Sequence, residues 1–363
     1  MDVRLLRPTE LSARDVAAWQ ALAADAADPN PFFEPDLVLP AARHLGGDPR
    51  LVVVRDGASW RACLPVVRRL RPAPHLAAWT HDFGFSGTPL LDAAHVERAA
   101  AALTGWLARR RTMPFTRLEQ LDGDGRAARS VGHAFCAAGL TPLSDHVEER
   151  AALLPRIPGA ERPALLSAKR RSELRRKARR LGEAAGGDVA VVEAGGSDAA
   201  LTRFLELEHA GWKGAEGTSL LACAQRSAFF SAMATGFAEQ GRLVLLELHA
   251  GSRVVASTTA LRSGDGVFGF KVGHDPAFEA FSPGVQLQVA LGERVLDEGP
   301  QVWLDSCSDP GNDLQNRLWP DRRTLRTLVV PTRSPLADLA RRVRVPQYET
   351  QLQVAGLLTV IHG

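Results

Sequence analysis

Ser282-Pro283-Gly284 stands where a β-rich run, GVFGFKVGH, gives way to a helical apolar pattern at Val285, Leu287, Val289, Leu291, Val295 and Leu296. Ser282 is a good N-cap, Pro283 suits the first helical position, and Gly284 lets a ligand approach the backbone closely. A helix start of this kind offers unpaired N–H groups and the positive end of the helix dipole, which suit a phosphate or pyrophosphate. The same three residues also make an ordinary capped helix. Lys271 lies on the preceding strand between Phe270 and Val272, where an ammonium needs a partner; Asp305 or Asp275 is the expected one. Trp212, Lys213 and Thr218 stand in a glycine-flanked loop, where Lys213 could hold a substrate carboxylate or phosphate or pair with Glu216. Cys307 is a conceivable nucleophile, with a buried free thiol as the plainer reading.

The elements that must position these residues follow from periodicity. Helices are expected over Ser12 to Ala24, Leu37 to Leu45 and His95 to Ala108, a hairpin at Asp56-Gly57, and a strand over Phe115 to Leu121. The second half repeats the order: helices over Ala199 to Trp212 and Arg226 to Ala238, and a hairpin turning at Ala250-Gly251. Then come a strand over Val267 to Val272, the Ser-Pro-Gly loop, the Val285 to Leu296 helix and a strand at Val302 to Leu304. A repeat this long indicates two copies of one α/β unit and not a solenoid. Between the copies, LLSAKRRSELRRKARRL reads as an exposed basic helix ending at Gly182, either a solvated linker or an electrostatic landing site for something acidic. The tail holds a helical stretch, Leu336 to Val343, and an apolar run, Leu352 to Ile361, expected to pack on a domain or a second subunit.

The chain has 363 residues, comfortable for two domains, with 45% hydrophobic and 23% charged residues, an ordinary globular balance. A net charge of +3 is too small to imply nucleic-acid binding. No signal-like or bilayer-length apolar run stands out, and Cys63, Cys136, Cys223 and Cys307 lack metal-ligand or disulfide-framework spacing. A cytoplasmic protein with reduced thiols and no metal is expected.

The segment Gly211 to Leu220 resembles the W-K-G-x-x-G-T motif of the CelD/BcsL-type tandem GNAT acyltransferases, a family related to the Fem-type transferases. Phe270-Lys271, Asp275, Phe278, Phe281-Ser282-Pro283-Gly284, Asp305-Ser306-Cys307, Leu318-Trp319 and Arg322-Arg323 carry the resemblance further, in the family's order. It implies an α/β fold with a mixed sheet, in two GNAT-like domains. These are a degenerate one over 1–150, a basic linker helix over 151–185, an acyl-CoA-binding domain over 186–332, and a tail over 333–363. Asp92 replaces Ser-Pro-Gly at the corresponding helix start of the first half, where a carboxylate would repel a pyrophosphate.

The implied activity is N-acyl transfer from acetyl-CoA or a longer acyl-CoA to a small-molecule or peptide amine, by direct attack in a ternary complex and with no permanently bound cofactor. Three tasks follow: to deprotonate the amine, to stabilise the oxyanion and to protonate the leaving thiolate. The resemblance places the pyrophosphate on Phe281, Ser282, Pro283, Gly284, Val285 and Gln286, and the oxyanion donor near Val272, Gly273 and His274. Asp305 ranks first as base, since it ends the strand beside Phe270 to His274, and His274 second. Trp212, Lys213, Thr218 and Lys271 are expected to line the acceptor side, with His81 and Asp82 entering from the first half through an inter-domain cleft that Trp79 and Phe83 also border. Alternatives are an acyl-carrier-protein donor docking on the Lys169 to Arg180 helix, an aminoacyl-tRNA donor, or a non-catalytic component of a polysaccharide or natural-product pathway. A monomer or homodimer is expected.

Overall fold

The computed structural model describes residues 1–335 except Pro72 and Arg111, and leaves the Trp212 side chain undescribed; the expected elements at Leu336 to Val343 and Leu352 to Ile361 lie outside the described residues. Strand β1 (Asp2–Leu6) precedes α1 (Ala13–Ala24), which Ser12 caps in a reciprocal pair with Asp15, and α2 (Pro35–His44) follows. The hairpin of β2 (Arg50–Asp56) and β3 (Ser59–Arg69) turns at Gly57, whose φ of 62° only glycine adopts cheaply. Then come β4 (His75–Ala78), β5 (Leu90–Leu91), α3 (Val96–Ala108), β6 (Phe115–Asp122), α4 (Arg126–Ala137) and β7 (Leu143–Leu153). Helix α5 (Ala168–Ala185) leads to β8 (Val189–Glu193), α6 (Asp198–Ala210), the single turn α7 (Trp212–Ala215), α8 (Ala224–Glu239), β9 (Leu243–Ala250), β10 (Arg253–Ser263) and β11 (Gly266–His274). The chain closes through α9 (Pro283–Glu298), β12 (Trp303–Asp305), α10 (Asp313–Leu318) and β13 (Asp321–Pro331).

All strands among the described residues join one mixed sheet in the order β1-β2-β3-β4-β6-β13-β7-β12-β11-β10-β9-β8, with β5 on β3 outside that path. The two halves exchange their last strands. β7, which follows the first half in sequence, lies between β13 and β12, while β13 lies between β6 and β7. β7 and β13 run antiparallel at the centre, with Arg150 opposite Arg323. Neither strand is legible in the sequence, because their charged residues break the alternation that marks a half-buried strand.

One apolar core unites the first half with the α6 and α8 face of the second, and a smaller one fills the space between the opposite face of β9 to β12 and helices α5 and α9. α2 packs on α8, where Arg242 pairs with Glu34 at 2.5 Å and Asp36 at 3.3 Å. Helix α5 does not stop at Gly182. Gly186, at φ 73°, supplies the left-handed stop, and Gly182 is glycine because a Cβ there would lie 2.6 Å from the Gly187 carbonyl oxygen.

Candidate active site

β11 and β12 run parallel only as far as Phe268 and Asp305; from Gly269 onward β11 pairs with β10 alone. Phe270 is the extra residue of a bulge, since Ala260 pairs with Gly269 and Thr259 with Lys271. The Lys271 carbonyl faces β10, accepting the Thr258 and Thr259 hydroxyls at 3.2 and 3.3 Å, whereas the Val272 carbonyl accepts from Lys213 Nζ at 3.1 Å. In an extended strand a residue's N–H points the same way as its C=O, so the Val272 N–H shares the side that faces away from β10, where β12 has diverged.

Val272 and His274 face α9. A Cβ at Gly284 would sit 3.7 Å from Val272 Cγ2 and 3.8 Å from His274 Nδ1. Ser282 does not cap α9 with its side chain as expected. It adopts left-handed φ 55° and ψ 51° and accepts Lys177 Nζ on Oγ at 2.8 Å. Lys177 thereby brings the basic helix α5 to the first turn of α9. Pro283 opens that turn, the Phe281 carbonyl accepts Gln286 Nε2 at 3.1 Å, and Gln286 N–H donates to the Ser282 carbonyl at 3.2 Å. Gly284 and Val285 belong to the turn whose N–H groups have no partner within a helix.

The opposite face of β11 meets α6. A Cβ at Gly273 would lie 2.4 Å from the Glu208 nitrogen, so that face of Gly273 is sealed by backbone. Glu208, buried, accepts Leu220 N–H at 2.8 Å and Lys271 Nζ at 3.2 Å, and Lys213 Nζ stands 3.8 Å from it. Lys271 is therefore partnered by Glu208, and not by Asp305 or Asp275; Asp275 instead caps the turn at Ala277 N–H. Glu208 is thus a carboxylate near Lys213, while Glu216 is exposed. Burial, reinforced by Lys271 and only partly offset by Glu208, draws the Lys213 ammonium down to about 8.

The W-K-G-x-x-G-T residues build the loop that holds Lys213. Its carbonyl accepts Thr218 N–H at 2.9 Å, Thr218 Oγ1 at 3.3 Å and Ser219 N–H at 3.1 Å, and Ser219 Oγ shares a hydrogen bond of 2.8 Å with His209 Nδ1. A Cβ at Gly214 would lie 1.8 Å from the His209 carbonyl oxygen. Gly214→Ala is accordingly expected to destabilise the protein by about 1–3 kcal/mol, read as a lowered denaturant midpoint at unchanged slope. α7 begins at Trp212.

The loop after β4 of the first half packs against the second half. Phe83 packs on Phe229 at 5.2 Å and Phe270 at 6.3 Å, and Lys271 Nζ lies 5.4 Å from the Phe83 ring. His81 stacks obliquely on Trp79 at 4.9 Å, and its burial pulls the imidazole down to about 4; Asp82 is exposed.

Asp305 is not placed as a base. It is fully buried, contacting the Arg150 guanidinium at 2.6 and 2.7 Å, pairing also with Arg323, and accepting Cys307 N–H at 2.9 Å. Burial alone would raise its carboxyl, but Arg150 and Arg323 outweigh that and hold it at about 2. Arg323 also reaches Asp122 at 2.8 Å, and Arg150 donates to the Phe85 carbonyl at 2.8 Å. The network ties the ends of β6 and β12 to the exchanged strands and to the loop carrying His81. Burial, together with Asp305, raises the Cys307 thiol, the reverse of an activated nucleophile. Arg150 escaped the sequence reading, and only the charged residues within an otherwise β-like run hinted at it.

Among the described residues no helix is long and apolar enough to cross a membrane. A family model described as an acetyltransferase (GNAT) domain matches residues 168–307, from α5 to the end of the Asp305-Ser306-Cys307 segment. No curated protein matches the chain. Among solved structures it is similar to FemX, with a TM-score of 0.59 and 10% identity over 93% of this chain and 99% of that one. It is also similar to L-PGS from Bacillus licheniformis, with a TM-score of 0.55 and 12% identity over 93% and 97%. The C-terminal domain of a putative lysylphosphatidylglycerol synthetase from Agrobacterium fabrum gives 0.54 and 12% over 91% and 95%. Together these give the chain a mixed α/β fold of the GNAT acyltransferase class.

Proposed function

We propose that this protein is an N-acyltransferase of the CelD/BcsL type that moves an acyl group from acyl-CoA to an amine by direct attack in a ternary complex. The observation that carries this reading is the divergence of β11 from β12 directly after Phe268 and Asp305, with the first turn of α9 and Lys177 at its α9 face. The pyrophosphate rests on the Gly284 and Val285 N–H groups between Ser282 and His274, with Lys177 supplying positive charge. The thioester lies in the gap, where the Val272 N–H meets the oxyanion as charge develops. The amine enters from the α6 face, past Lys271, Lys213, Thr218 and the first-half loop of His81 and Asp82.

In this reading residues 186–332, joined by Lys177 of α5, bind the donor and residues 1–150 do not. At the start of α3 the Asp92 carboxylate is already taken by Ala94 N–H at 2.9 Å, Arg61 at 2.5 Å and His95 at 3.1 Å. Initial rates of CoA release with both substrates varied are expected to give intersecting double-reciprocal lines; parallel lines would mean an acyl-enzyme and overturn direct attack. Lys177→Glu is expected to weaken acyl-CoA binding about tenfold, the scale of one charge-assisted hydrogen bond.

One observation favours a second donor. Beyond Lys177, the basic residues of α5 including Lys169, Arg175, Arg176 and Arg180 are exposed, which suits docking of an acidic acyl carrier protein or an aminoacyl-tRNA. Reversing Arg175 and Arg176 to Glu should then slow transfer from such a donor and spare transfer from acyl-CoA.

A further inference from the structure

The chain carries four lysines, Lys169, Lys177, Lys213 and Lys271, against forty arginines. Two of the four meet at Glu208, beside the divergence of β11 and β12. Arginine serves wherever charge alone is needed, as at Arg150 and Arg323; lysine differs in that it can shed its proton near neutral pH when buried.

Resting on the acyltransferase reading, we propose that Lys213 is the catalytic proton acceptor, whose side-chain nitrogen takes the proton from the attacking nitrogen. Its Nζ stands 3.1 Å from the Val272 carbonyl oxygen, on the side of the strand where the oxyanion donor also points. The three hydrogen bonds to its own carbonyl and the close approach of Gly214 to His209 fix its backbone, and the Val272 carbonyl fixes its tip. The other titratable side chains of the site are placed for other work. His274 lies on the α9 face, His81 stacks among Trp79, Phe83 and Phe229, Glu208 anchors two lysines, and Asp305 is sealed between two arginines.

The step balances without another reagent. As the amine nitrogen bonds to the thioester carbon, Lys213 Nζ takes the proton that the nitrogen sheds. The C–S bond breaks, and Lys213 returns that proton to the departing thiolate, leaving amide, CoA thiol and neutral lysine. Burial and the Lys271 charge, against the pull of Glu208, are what hold Lys213 at about 8, so its neutral fraction grows as pH rises through that value. The charged groups on the elements packed against it are Glu208 and His209 from α6, Lys271 from β11, Glu216 from its own loop and Arg226, which bonds the Gly217 carbonyl.

The test joins kinetics to a measurement that needs no donor. With the lysines reductively methylated with carbon-13, Lys213 is assigned by its loss in Lys213→Arg and titrated by NMR. The expected result is a midpoint near 8 that moves upward in Lys271→Gln, and a rising limb of kcat/KM that moves with it. Lys213→Arg should lose about 10²- to 10⁴-fold in kcat with acyl-CoA affinity unchanged by calorimetry. A Lys213 midpoint at the ordinary lysine value of ~10.4, or a Lys213→Arg variant with undiminished kcat, overturns the assignment. Absence of acyl-CoA binding by the wild type would instead count against the acyltransferase reading itself, while the NMR midpoint still decides whether Lys213 is poised as a base.

Discussion

Asp305→Ala is expected to lower the thermal midpoint by about 4–7 °C. Removing one partner of a buried ion pair costs about 3–5 kcal/mol, because the remaining charge stays buried. Here two charges remain, Arg150 and Arg323, which face each other in register across β7 and β13. Asp122 reaches only Arg323 and cannot compensate both. The same network predicts an acid limb. Asp305 sits at about 2 in the fold, below its ordinary value of ~3.9, so its contribution is complete above about pH 4 and is lost as pH falls towards 2. Denaturant titrations from pH 5 to 2 should show wild-type stability falling by about 2–3 kcal/mol on this account, a component absent from Asp305→Asn. A wild-type midpoint insensitive to Asp305→Ala would remove the network from the account of the fold.

Gly284→Glu is expected to weaken acyl-CoA binding at least about a hundredfold while leaving the fold intact. The backbone at Gly284 accepts a side chain, since a Cβ would make only ordinary contacts with Val272 and His274. The glutamate would place its carboxylate at the first turn of α9, where like charge meets a pyrophosphate at a cost of several kcal/mol. Gly284→Ala adds a Cβ without a charge and should bind within a few-fold of wild type. Equal losses in both variants would show that the turn is needed for shape and not for its positive end.

Much of the second half was legible because its signals are local. The hairpin at Ala250-Gly251, the Pro283 helix start and the W-K-G-x-x-G-T loop each depend on residues close in sequence. The exchanged strands were not, because β7 and β13 are specified by partners far along the chain, and their arginines look solvent-bound until Asp305 is placed between them. Glu208, one turn before Trp212, reads in sequence as a helix-surface residue or as one lining the acceptor side, and only the approach of Gly273 to its backbone reveals that strand β11 covers it. Ser282 shows the reverse error, a residue type that suits a cap but spends its hydroxyl on Lys177.

Calorimetric titration of the wild-type protein with acetyl-CoA, a long-chain acyl-CoA and free CoA tests the central claim most directly. The account expects all three to bind at one site, through the shared phosphates at Gly284 and Lys177, with the acyl chains adding affinity according to the depth of the gap between β11 and β12. Binding of none of the three would contradict it and turn attention to an acyl carrier protein or aminoacyl-tRNA on the exposed face of α5.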